Sequence, residues 1–286
     1  MFTFMQHCCV FIECYMMMFL YWGISPEIFH IGGFALRYYS VGFMLAFISA
    51  YGVLTAVFRR ERIAPALLDR LLIYIVAGTL VGARLGHCLF YDFDWYKEHP
   101  WEIVLPFRWG ADGFHFTGYE GLASHGGAIG ILVTAWLFAR RYQMSYTWLL
   151  DRLAMVVPLA GCFVRIGNFF NSEIIGIPTK LPWAVVFSRV DQQPRHPAQL
   201  YEAFCYLLIF VFLWYCYKRN ARPGILLGYL LVLVFSARFL IEFVKEDQSA
   251  FEHAWLLNMG QLLSIPMIAA GICLLFAGWY RKKTTA

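Results

Sequence analysis

Apolar residues run along this chain in long blocks broken by short polar clusters. Seven blocks stand out, at about residues 34–58, 71–91, 122–139, 148–164, 198–217, 224–243 and 260–280. Each is close to the ~20 residues that a hydrocarbon core about 30 Å thick requires of a helix. No water is available there to the backbone, so each block must close its own hydrogen bonds, which a helix does. The alternating pattern of barrel strands is absent. The pattern predicts an all-α membrane protein with seven transmembrane helices.

The polar breaks add orientation. Basic clusters fall in "RRERIAPALLDR" (59–70), "ARR" (139–141), "YKRNARPG" (217–224) and the tail "YRKKTTA" (280–286). The loops between them are mixed, and the longest, from Asp92 to Glu120, leans acidic. Basic loops mark the cytoplasmic side, which predicts an outside N-terminus and a cytoplasmic C-terminus. The net charge of +5 is accounted for by these loops and leaves no nucleic-acid footprint. With 14% charged and 60% hydrophobic residues, a soluble globular chain is excluded.

The cysteines, Cys8, Cys9, Cys14, Cys88, Cys162, Cys205, Cys216 and Cys273, form no CxxC pair and no metal-ligand spacing, so no metal site is expected. Most lie in apolar blocks, where Cys behaves as a small hydrophobe. The first twenty residues are apolar but lack the basic start and small-residue cleavage site of a signal peptide. Two readings stay open for them: an interfacial helix, or upstream sequence if translation begins at Met16, Met17 or Met18.

The polar residues inside the blocks gather at one membrane level, on the outward side. Arg84 lies near the outer end of the second block and His125 near that of the third. Arg165, Asn168, Asn171 and Glu173 follow the fourth, "RHPAQLYE" (195–202) leads into the fifth, and Arg238 with Glu242 closes the sixth. Each has a structural alternative. Arg238 and Glu242 stand at i,i+4 and could simply pair. Gly78, Gly82 and Gly86, around Arg84, look like a helix-packing stripe, and Gly126 and Gly127 suggest a close backbone approach after His125. Arg165, Asn168 and Asn171 share one helical face with Glu173 nearby. They form either a self-contained polar clip or a site. A buried arginine costs several kcal/mol unless satisfied, and ionisable residues in membrane spans are functional hypotheses by default. The fixed arginine fork suits phosphate, so Arg165 and Arg238 at one depth would clamp a lipid phosphodiester.

These stretches resemble the prolipoprotein diacylglyceryl transferase family. The resemblance is carried by "IGGFALRYYSVGF" (31–43), "GARLGHCLFYD" (82–92), "GLASHGGAIG" (121–130), "RIGNFFNSEIIG" (165–176), "RHPAQLYE" (195–202), "RFLIEF" (238–243) and "MGQLLSIPMI" (259–268). Val164 departs from the pattern, which has glycine before the arginine. The resemblance implies seven transmembrane helices with outward-facing arms and a small periplasmic head. It divides the chain into an N-terminal extension, 1–26, and a transferase domain, 27–286, with the head at about 175–193 and a short strand in "WAVVF" (183–187).

The resemblance further implies transfer of the sn-1,2-diacylglyceryl group from phosphatidylglycerol to the lipobox cysteine thiol of preprolipoproteins whose signal peptide is still attached. That is the first step of bacterial lipoprotein maturation, at the cytoplasmic (inner) membrane. Arg165 and Arg238 would bind and stabilise the phosphate. Asn168, Asn171 and Glu173 would orient Arg165 and the head group. His125 is the candidate general base, since histidine's free pKa lies near 6.5, with a hydrogen bond to the lipid as its alternative role. Tyr39, Arg84, His196, Gln199 and Glu242 follow by motif match as phosphatidylglycerol-binding residues. No cofactor is called for, because the phosphodiester is already a leaving group. A transporter would want internal repeats and broken helices at mid-membrane, and an intramembrane protease would want a serine better placed than Ser124 beside His125. A purely structural protein leaves the arginines unexplained.

Overall fold

The computed structural model describes residues 19–31, 34–105, 107–110, 113–116, 121, 123–246 and 257–280. Residues 1–18, for which an interfacial helix is one reading, lie outside these. The chain divides into two compact units, residues 1–50 with 155–286, and residues 51–154. Helices α1 (Tyr38–Arg60) and α5 (Tyr146–Asn171) each contribute to both.

In the unit of residues 51–154, α2 (Pro65–Phe90) opens with its proline in the first turn, where the missing N–H has no cost. A short α3 (Phe93–Glu98), a 3-10 turn (Pro100–Ile103) and a hairpin of β4 (Phe107–Gly110) and β5 (Gly113–Phe116) lead to α4 (Ser124–Arg141). Helices α2 and α4 meet through glycine. A Cβ on Gly82 would come 2.3 Å from the Gly126 carbonyl oxygen, and one on Gly130 would come 1.9 Å from that of Gly78. Both are impossible, so only glycine permits this backbone contact. What approaches Gly126 is therefore helix α2. Below them, Glu61 accepts from Trp148 Nε1 at 2.7 Å and from Arg152 Nη2 at 2.7 Å, tying the end of α1 to the start of α5.

The other unit holds β1 (Leu20–Trp22), the hairpin β2 (Glu27–Ile31) and β3 (Phe34–Arg37), and the start of α1. After the end of α5 come β6 (Val185–Phe187), β7 (Pro194–Arg195), α6 (Ala198–Lys218), α7 (Ile225–Ile241), a 3-10 turn (Glu242–Val244) and α8 (Met259–Tyr280). Strand β6 falls inside "WAVVF". It is the middle of a three-stranded sheet, parallel to β1 and antiparallel to β7. Residues 20–22, inside the stretch that the sequence sets apart as an extension, are thus a strand of this sheet. Val185 and Phe187 bury against Phe169 and Ile175, with Trp22 and Leu200 packed alongside.

The chain is an all-α membrane protein in which the strands are short additions. Six described helices, α1, α2, α5, α6, α8 and α7 extended through Val244, are long and apolar enough to cross a membrane. The third expected span, 122–139, differs. It is α4, 18 residues with His125 at its start and Arg140 and Arg141 at its end, so its full length is less apolar.

Candidate active site

Helix α5 ends in a turn that folds its polar residues onto one another. Ser172 and Ile174 sit in the left-handed region, at φ 57° and 55°. That conformation costs on the order of 1–3 kcal/mol for a non-glycine residue, and β-branched Ile174 is especially unsuited to it. The two bends reverse the chain around Glu173. Its carboxylate then accepts from Asn168 Nδ2 at 3.0 Å and Asn171 Nδ2 at 3.1 Å. Asn168 Oδ1 in turn accepts from Arg165 Nη1 at 3.3 Å. Gln199 Nε2 donates to the Glu173 carbonyl oxygen at 2.5 Å.

Tyr39 joins from the first turn of α1, where its hydroxyl hydrogen-bonds Asn168 and lies in the field of Arg165 and Glu173. Close packing brings it there. A Cβ on Gly167 would fall 3.1 Å from the Tyr39 ring, and one on Gly42 would fall 3.0 Å from the Phe163 carbonyl oxygen.

Arg165 does not stop at the amides. Its Nε forms an ion pair with Glu202, a fully buried carboxylate on α6. Glu202 Oε1 also lies 2.8 Å from Lys245 Nζ, which is 3.1 Å from Glu242 Oε2. Arg238 hydrogen-bonds the buried Tyr206 hydroxyl and lies in the field of Glu202 and Glu242. Side-chain exposure is 14% for Arg165, 3% for Lys245, 0% for Glu202 and 9% for Glu242. Removing one partner from so buried a pair strands the other charge.

His196, just before α6, pairs its Nδ1 with the Tyr201 hydroxyl at 3.1 Å, and that hydroxyl accepts from Trp183 Nε1 at 2.8 Å. Burial pushes its pKa below the usual histidine value, so the neutral ring is favoured at neutral pH. Arg195 anchors the strand beside it. It pairs with Asp191 and Glu246 and donates to the Gly176 carbonyl oxygen at 3.1 Å. The Arg195 donor holds the Asp191 carboxyl below its ordinary range.

Arg165, Asn168, Asn171, Glu173, Tyr39, Gln199, Arg238 and Glu242 thus belong to one unit with connected contacts. Arg84 and His125 belong to the other. Arg84 is buried, donates to the carbonyl oxygens of Ile103 at 3.1 Å and Glu102 at 2.5 Å, and lies over the Tyr96 ring. His125 is exposed in the first turn of α4. Two residues escape sequence reasoning. Glu202 closes the quoted "RHPAQLYE", where it reads as one more helix residue. Lys245 lies two residues past "RFLIEF", where a lysine reads as an interfacial anchor. Only the cost of burying Arg165 hints that a further carboxylate is owed to it. Among the described residues no group of three or more His, Cys, Asp or Glu side chains could hold a metal ion.

With the geometry in hand, comparison with known proteins decides the family. The family model for prolipoprotein diacylglyceryl transferase matches residues 26–277. The chain belongs to that family. Similar curated proteins carry the name phosphatidylglycerol–prolipoprotein diacylglyceryl transferase. That of Bacteroides fragilis is 44% identical, over 92% of this chain and 95% of its own length. Those of Chloroherpeton thalassium and Tolumonas auensis are 44% and 43% identical, each over 90% of this chain and over 94% and 96% of their own. The match to this transferase family takes in every motif singled out above and each of its candidate site residues.

Proposed function

We infer that this chain transfers the diacylglyceryl group of phosphatidylglycerol to the cysteine of prolipoproteins, the first step of lipoprotein maturation. The observation that carries the reading is a pair of arginines in a largely apolar chain, Arg165 paired with the buried Glu202 and Arg238 in the field of that same carboxylate. The donor lipid has one phosphodiester and a glycerol head, and the cluster offers partners for both. The two guanidinium groups suit the phosphate oxygens. Gln199 Oε1 and Asn171 Oδ1 are buried acceptors with no hydrogen-bond partner, and they suit the head-group hydroxyls.

The acceptor is a preprolipoprotein signal peptide with a lipobox cysteine. Its sulfur attacks the glycerol carbon that carries the phosphate, the carbon–oxygen bond breaks, and glycerol phosphate leaves with the electron pair. Thiolate is the nucleophile, so the thiol proton passes to a base, His125 in this reading. Arg165 and Arg238 take up the charge that gathers on the leaving phosphate, which is stabilisation by preorganised donors. Asn168, Asn171 and Glu173 hold Arg165 and the head group. Tyr39, Arg84, His196, Gln199 and Glu242 complete the lipid site.

We assign residues 27–286 to the transferase domain, with the head at about 175–193 and the two β-hairpins as outward arms. The chain sits in the bacterial inner membrane as a multi-pass protein, N-terminus outside and C-terminus in the cytoplasm. The site then faces outward. The basic clusters at 59–70, 139–141 and 217–224 support that orientation. Purified protein incubated with labelled phosphatidylglycerol and a lipobox peptide should yield a thioether-linked diacylglyceryl peptide and glycerol phosphate. Absence of that product, with the lipid intact, would sink the reading.

A further inference from the structure

Lys245 lies just past the 3-10 turn that follows α7, and its backbone is fixed from both sides. Val244 accepts from the Ile177 amide at 3.0 Å, and the Glu246 amide donates to Ile175 at 3.1 Å. Gly176 bridges to Lys245 itself. A Cβ on Gly176 would lie 2.6 Å from the Val244 carbonyl oxygen, so the strands can be this close only with glycine there. The ammonium is thereby pointed at Glu202 and Glu242. Glu242 has no room to withdraw towards α8, because a Cβ on Gly260 would already touch its carboxyl carbon at 2.6 Å.

Lysine is among the residues least often fully buried, and then only when paired. Here it changes the charge balance. The connected group holds three cations, Arg165, Arg238 and Lys245, against two carboxylates, Glu202 and Glu242. Glu173, joined through Asn168 and Asn171, is a third carboxylate, but it is exposed and lies at the edge of the group. Without Lys245, Glu202 and Glu242 would have only the two arginines as cationic partners, and an arriving phosphate would have to compete with Glu202 for Arg165. With Lys245, Glu202 Oε1 is occupied, and the buried part of the group holds one more cation than carboxylate.

We propose that Lys245 is a positioning residue for the transfer: by holding Glu202 and Glu242 it keeps the forks of Arg165 and Arg238 open to an anionic lipid. This rests on the clamp reading of the two arginines.

The test is a double-mutant cycle read in steady-state transfer and in phosphatidylglycerol-dependent melting in nanodiscs. Lys245→Met keeps the stem and removes the charge. It should lower kcat/KM on the order of a hundredfold, the scale for truncating one member of a buried charge pair, mostly through KM for phosphatidylglycerol. Adding Glu202→Gln removes the competing carboxylate and should recover about tenfold of that loss, a coupling that neighbours show and independent sites do not. Lys245→Arg, which keeps the charge, should keep most of the activity. If Lys245→Met does not accumulate in membranes, Lys245→Gln replaces it with the same expected outcomes. A double variant as poor as, or poorer than, the lysine variant alone overturns the proposal, as does a loss confined to kcat. Arg165→Lys in the same assay separates the two claims. Wild-type rates there remove the clamp itself, whereas a severe loss there with additive Lys245 and Glu202 effects removes only the role of Lys245.

Discussion

Glu202 changes what Arg165 is. From its neighbours in sequence, Arg165 reads as the head of a clip made with Asn168 and Glu173. In three dimensions it also pairs with a carboxylate thirty-seven positions on, buried on α6. That contact was illegible because a glutamate inside an apolar helix carries no mark of which helix it faces. Arg238 gives a similar lesson. Its i,i+4 spacing to Glu242 suggested a simple pair, yet it hydrogen-bonds Tyr206, and the close partner of Glu242 is Lys245. His125 was legible as a histidine followed by two glycines, and its proposed role is tested by substitution. If it is the base, His125→Gln should lose most of its rate at neutral pH. The remainder should climb with pH as the substrate thiol ionises unaided near 8.5. A variant with the wild-type pH profile and rate would remove the base assignment.

At the scale of elements, apolar run length located the helices because the bilayer sets it, and six of the expected blocks are helices fit to span. Boundaries were less legible. The first block was expected from residue 34, but 34–37 belong to strand β3, since pairing with β2 satisfies its backbone before α1 begins. The glycines at four-residue spacing were legible as a packing stripe, whereas their partner, α4, was not. The contact can be tested by Gly82→Ala. Its Cβ would lie 2.3 Å from the Gly126 carbonyl oxygen, a backbone atom that cannot swing away. The cost should be about 1–3 kcal/mol, the usual range for overpacking, seen as a lower melting temperature in detergent. Gly52→Ala in α1 meets nothing within 4 Å and should be neutral or slightly stabilising, as alanine is in helices. Equal effects of the two would contradict close α2–α4 packing.

For the whole molecule, direct displacement requires that the reacting thiol belong to the acceptor. Cys162, the cysteine beside the arginine signature, is buried, and Cys88 is buried in α2. Cys162→Ala should therefore retain activity, and no lipid should be found attached to the enzyme by intact-mass spectrometry. A trapped diacylglyceryl group on Cys162 would replace direct displacement with a two-step route. The family and its reaction were legible because its motifs follow one another in the family's order over most of the chain, where the family model matches residues 26–277. The balance of buried charge was not, since it depends on contacts between α5, α6 and the segment after α7. That balance makes the central claim a geometric one: Arg165 holds a phosphate by its fork as well as by its charge. The most direct measurement is the initial rate of thioether formation by Arg165→Lys, beside Arg165→Ala. Loss of a transition-state donor costs on the order of 10²–10³ in rate, and the lysine variant should fail nearly as badly as the alanine one. An Arg165→Lys enzyme with a rate close to wild type would mean that the stretch is only a structural clip.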